Sequence, residues 1–212
     1  MGRIKNKERA LSKAQERKAN EVVRSNNKRA LVIHFLLSIV GFAAFLILAT
    51  VTDSMGSPYW ATMATFYFVV VCGLWVYFLC GYFFLRSNGE KAYLSVNWLA
   101  AATIIVGFVS AVGFFIQESY IVPLDSLPYS VSGIMVASSF FLNTLGFGIV
   151  AMTEPTSTSS SYGIAVGALS FVVVSILPST LLWLGLRLRM KIDSTEEPAL
   201  DDNHLNREGV HG

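Results

Sequence analysis

All 16 lysines and arginines of this 212-residue chain fall in three places: ten within residues 1–29, two at Arg86 and Lys91, and four from Arg187 onward. Residues 30–85 and 92–186 contain none. A cation at the centre of a bilayer costs about 2.5–3.5 kcal/mol on insertion scales, and lysine and arginine collect on the cytoplasmic side of membrane proteins. The charge pattern therefore reads as membrane topology. Composition agrees, because charged residues make up only 14% of the chain against about 25% in an ordinary soluble domain.

Five runs reach the length of about 20 apolar residues that a spanning helix needs. They are 30–52, 59–85, 93–117, 131–152 and 163–186. Backbone amides in lipid must bond within their own segment, so the expected fold is an all-α integral membrane protein, a bundle of five transmembrane helices spanning 30–191. The connections carry breakers: Gly56 and Pro58, Asn88 with Gly89, Pro123 and Pro128, and Pro155 within a Ser/Thr run. Residues 1–29 form a basic arm, expected to be cytoplasmic and helical and to end near Asn26 and Asn27. Residues 192–212 form an acidic tail, expected to be unstructured. A cleaved signal peptide fits poorly, since 29 residues precede an apolar run of 23, whereas such peptides total about 15–30 residues. A retained anchor in a bacterial cytoplasmic membrane is the expected setting.

Orientation follows from the arm. With the N-terminus cytoplasmic, Arg86 and Lys91 return to the cytoplasm, as the positive-inside bias asks. Five spans would then place Arg187, Arg189 and Lys191 outside, against that bias. If segment 131–152 dips into the membrane and returns, leaving four spans, all three clusters share one side. Segment four's uncharged length favours a fifth span; its Ser138, Ser139, Asn143, Thr144, Gly146 and Gly148 favour the dip.

None of the five segments contains Asp, Glu, Lys or Arg, which argues against proton-coupled transport or voltage sensing. No catalytic or nucleotide-binding signature is present, so no catalytic, cofactor or metal residue is assigned. His34 is the one acid–base candidate in the apolar block and reads as an interfacial imidazole bonded to backbone or water. Cys72 and Cys80 lie eight residues apart, about 12 Å along a helix, too far to bridge. The arm lacks aromatic residues for stacking on bases, so nucleic acid is not an expected partner.

Helix packing supplies the positive signals. Gly163 and Gly167 form a GxxxG pair and Gly107 with Ala111 a weaker version, spacings that let helices approach closely. Asn97 and Asn143 can bond across helices. Pro178 removes the amide that would bond the Val174 carbonyl, so a kink is expected, with Ser175, Ser179 or Thr180 near enough to compensate. The expected function is noncatalytic: a scaffold, accessory subunit or protective factor working through helix contacts with the bilayer, other membrane proteins or itself. A pore or facilitator for a neutral or lipid-like solute is the alternative, and an intramembrane enzyme a third.

Overall fold

The computed structural model describes residues 2–56, 59–87, 94–118, 127–143, 149 and 161–208; for residues 2–11, 53, 59–63, 127, 129, 139–141, 161–163 and 195–208 it describes the backbone alone. Every described element is helical: α1 (Gly2–Ser54), α2 (Tyr59–Phe84), α3 (Asn97–Glu118), α4 (Leu127–Leu142), α5 (Ser161–Ser175) and α6 (Leu177–Glu208). Four stretches are long and apolar enough to cross a membrane: Ser12–Thr52, Ala64–Phe84, Leu94–Glu118 and Ile164–Ser194. The last joins α5 and α6.

Side-chain contacts fix the direction of each helix. Asn26 meets Arg86, His34 meets Tyr77, and Phe45 stacks on Phe66 at 5.2 Å, so α1 and α2 are antiparallel. Asn27 bonds to Leu94 and to the amide of Trp98, which brings the start of α3 to the same end as the arm. On α4, Met135 lies opposite Ser110, and Ser132 lies opposite Gly113. On α5, the space beside Gly107 is filled by Ser175 and that beside Gly167 by Phe114. Both α4 and α5 therefore run back toward the arm end, and α6 continues that way, packing Leu182 and Gly185 on Gly81 and Phe78 of α2.

Among the described elements, α4 and α5 thus run in the same direction. Arg189 reaches the Tyr82 and Leu85 carbonyls at the end of α2, so the third basic cluster lies at the arm end of the bundle. The reason lies in α4. It has 16 residues, about 24 Å of rise, less than the roughly 30 Å hydrocarbon thickness. Helix stops at Leu142, and Asn143 is already non-helical. Residues 144–148 and 150–160, the rest of the fourth apolar segment and its link, lie outside the described residues.

Two further expectations change. The arm helix does not end near Asn26 and Asn27: α1 runs unbroken for 53 residues, with Asn26 bonded to Arg86 and Ser95 and Asn27 to Leu94 and Trp98 as well as to the Val23 carbonyl of its own helix. The acidic tail continues α6 as helix to Glu208. An i,i+4 pair between Arg189 and Asp193 (3.8 Å) bridges the point where basic sequence turns acidic, a spacing that supports helix.

Packing is uneven. Only 11% of the most apolar window of α1 is buried within the protein, against 39% for α3. Val32, Phe35, Leu36, Ile39, Val40 and Ile47 project from α1, and Phe68 of α2 is 69% exposed. A soluble monomer rarely shows so extended an apolar face; hydrocarbon accommodates it without cost. The core concentrates at the arm end, where Ala30, Tyr77, Leu85, Val96, Leu99, Leu182 and Leu186 form one buried cluster.

Candidate functional site

A group of buried polar side chains lies where α4 ends. His34 is nearly fully buried, 8% exposed. Its Nδ1 is 2.7 Å from the Tyr77 hydroxyl and its Nε2 2.7 Å from the Leu142 carbonyl oxygen. A carbonyl only accepts, so Nε2 carries the proton, and in the neutral ring Nδ1 accepts from Tyr77. The buried Ser38 hydroxyl donates to the same Leu142 oxygen at 3.3 Å. Asn143 is buried alongside.

The location follows from helix geometry. His34 is eight residues inward from Asn26, about 12 Å along α1. The last turn of α4 therefore ends inside the bundle, and the carbonyls that a helix leaves unpaired at its C-terminus need donors there. His34 and Ser38 supply them to Leu142 from one face of α1, four residues apart. The sequence reading placed His34 at the interface; the contacts bury it. His34 and Ser38 thus tie the end of α4 to α1 through one carbonyl.

The other half of α4 is held by small residues. Ser110 donates to the Met135 carbonyl at 3.0 Å and lies 3.3 Å from the Ser138 hydroxyl. A methyl group built on Gly113 would stand 2.6 Å from the Ser132 carbonyl oxygen, so α3 and α4 touch through backbone.

At the arm end a second polar group ties the helices together. Asn26 grips Arg86 from both sides, its Nδ2 donating to the Arg86 carbonyl (2.8 Å) and its Oδ1 accepting from the Arg86 amide (2.9 Å); Nδ2 also reaches Ser95 (3.1 Å). Asn27 donates to the Leu94 carbonyl (2.7 Å) and accepts from the Trp98 amide (2.9 Å), capping the first turn of α3. The last carbonyls of α2 are covered from two sides. Arg29 of α1 donates to Phe84, and Arg189 of α6 to Tyr82 and Leu85. Neither Asn26 nor Asn27 was singled out from the sequence. The signal available was two adjacent amides between the charged arm and the apolar run.

The other sequence-derived candidates separate. Gly107 and Ala111 lie buried on α3 facing α5, and Gly167 faces Phe114, so these three serve a seam within the chain. Gly163 is on α5, but its surroundings lie outside the described residues. Asn97 is exposed at the start of α3. Pro178 is buried at the junction of α5 and α6, where Ile176 leaves the helix. The neighbouring hydroxyls do not bond the Val174 carbonyl: Ser175 donates to Val172, while Ser179 and Thr180 donate to Ile176. The tightest glycine contact among the described residues carries no spacing signal in the sequence. Gly81 and Gly185 face each other across α2 and α6, where an added methyl would strike the Leu182 or Phe78 backbone.

Among the described residues, no three His, Cys, Asp or Glu side chains gather as a metal site. No protein family, curated protein or solved structure matches this chain.

Proposed function

We propose that this chain is an integral membrane protein with four crossings, α1, α2, α3 and α5–α6, with α4 too short to complete a crossing, and with both ends and the basic clusters on the cytoplasmic side. It works without catalysis, as a scaffold, accessory or protective component whose helices contact other membrane helices. The observation that carries this reading is the uncovered apolar face of α1, from Val32 to Ile47, opposite a core closed by its own glycine seams. Those seams are occupied by the chain itself, which leaves the α1 face for partners.

Photoreactive residues at Phe35, Ile39 and Ile47 test it in native membranes. Protein adducts at these positions, absent from a Phe108 control on α3, are the expected result. Adducts with lipid alone would remove the helix-contact function. A second reading, a facilitator for a neutral solute, draws on one observation: α4 ends inside the bundle among His34, Ser38 and Asn143, and non-helical backbone at membrane depth is tolerated where it is buried in protein or lines a water-filled cavity.

A further inference from the structure

The helices α1 and α6 both project beyond the arm end of the bundle. From Ala30 outward to Arg3, α1 extends about 40 Å, and from Leu186 to Glu208, α6 extends about 33 Å, at 1.5 Å per residue. The first carries ten cations and three acids, the second chiefly acids from Asp193 onward. Anionic lipid explains only the innermost cations of the arm. Screening acts over about 8 Å at physiological salt, whereas Lys13 and Arg9 stand roughly 25–30 Å out along a helix continuous with a spanning segment. Among the described residues, Lys13, Arg17, Lys18 and Arg24 make no hydrogen bond or ion pair.

The charges have a register. Asn26 bonds Arg86 at the end of α2, and Leu182 and Gly185 pack on Gly81 and Phe78 of the same helix, so Ala30 and Leu186 lie within about one helical turn in height. Counting outward from them, Arg24, Arg17, Lys13 and Arg9 lie 6, 13, 17 and 21 residues out, and Asp193, Glu197, Asp201 and Glu208 lie 7, 11, 15 and 22. On that count no matched pair differs by more than about 3 Å in height. At 100° per residue each set also falls within roughly one quarter of its helix surface, with Glu16 and Glu21 flanking the basic face on either side.

We propose that the basic face of the arm docks on the acidic face of the tail helix of a second copy of this chain. Two copies in one bilayer share orientation and depth, so the arm of one runs antiparallel to the tail of the other at matching height. A two-fold axis makes the contact reciprocal. Within one chain the match is not made: Asp193 is paired with Arg189 of its own helix, and Arg24 remains exposed. The inference rests on the membrane reading above, because the bilayer is what aligns the copies.

The test uses full-length protein with Cys72 and Cys80 replaced by serine and two differently tagged copies coexpressed. One carries Arg17→Cys and the other Glu197→Cys; mild oxidation should give a hetero-tagged disulfide dimer. Its yield should fall several-fold for Arg17→Cys with Glu208→Cys, about 15 Å out of register, and at 1 M salt, where the Debye length is about 3 Å. Reversing Arg24→Asp should lower the yield, and Asp193→Arg in the partner should restore it. Absence of the dimer, bonding only within one copy, or equal yield out of register would overturn the pairing. Labelling the same cysteines with an impermeant thiol reagent separates the two failures. Protection in intact cells with labelling after lysis keeps the topology whatever the crosslinking shows, whereas labelling in intact cells sinks the membrane orientation itself.

Discussion

The seam between α2 and α6 and the junction between α1 and α4 hold helices together by opposite means. At the first, Gly81 and Gly185 remove the side chains between two backbones, so contact is dense and nothing can rotate aside. At the second, His34 and Ser38 reach across to one carbonyl, and the attachment can be broken bond by bond. In lipid, close packing of small residues drives helix association, while single side-chain hydrogen bonds average only about 0.6 kcal/mol. The seam between α2 and α6 is therefore fixed by backbone contact, as is the first half of α4 against α3, and the last turn of α4 is the part able to move independently.

The largest effect is expected at the glycines. Gly81→Val or Gly185→Val drives a branched side chain into the facing backbone, and no rotamer relieves it. The cost should exceed the usual 1–3 kcal/mol of overpacking. Gly167→Ala meets only the tip of the Phe114 ring, 2.6 Å away, which can swing, so its effect should be well under half as large. The unfolding midpoint in a denaturing-detergent titration, with the yield of monodisperse protein, measures the difference. A Gly81→Val protein as stable as wild type would end the claim that α2 and α6 touch through backbone.

The asparagine clamp should fall between the two extremes, because it is polar yet buried and doubly used. Asn27→Ala strands the Trp98 amide and the Leu94 carbonyl; Asn26→Ala strands both backbone groups of Arg86 and removes one donor to the Ser95 hydroxyl. Each should lose about 1–3 kcal/mol, the range for a buried group left unsatisfied. Asn27→Asp keeps the acceptor for Trp98 and loses the donor to Leu94, so it should lie between. Alanine variants within about 0.5 kcal/mol of wild type, as at an ordinary surface site, would reduce the clamp to incidental contact.

How far the sequence led is visible in these same residues. Apolar length and breakers located α2 and α3 to within four residues at each end, whereas the helix expected over 131–152 stops at Leu142. Pro178 announced the break between α5 and α6 through chemistry local to one turn. The third basic cluster exposed segment four as the weak point, although length alone argued for a full crossing. What stayed hidden depended on partners far along the chain. Asn26 and Asn27 favour helix ends by local propensity, and only linker backbone some 60–70 residues away makes them internal. Gly81 and Gly185 have no glycine four residues away on their own helices. Their partners are across the seam, so no spacing pattern marked them. His34 looked interfacial from its place in the apolar run, and became buried because α4 stops against it.

The smallest effect on overall stability, and the most local, is expected at that junction. Tyr77→Phe removes the donor to His34 Nδ1, and His34→Leu removes the stronger of two bonds to the Leu142 carbonyl. Each should shift global unfolding by about 1 kcal/mol or less, in line with membrane hydrogen bonds elsewhere. The end of α4 should respond far more, since the glycine and serine contacts with α3 hold its first half only. Leu142 contributes its carbonyl and its side chain is half exposed, so Leu142→Cys preserves the tie to α1 and reports on it. Labelling of that cysteine should accelerate several-fold in the His34→Leu background and less in Tyr77→Phe, while the unfolding midpoint barely moves. Equal labelling rates in all three backgrounds would mean that α4 is held as rigidly as α2 and α6, and the contrast between the two regions would fail. A midpoint shift as large as that of Gly81→Val would break it from the other side, by making one carbonyl as important to the fold as a helix seam.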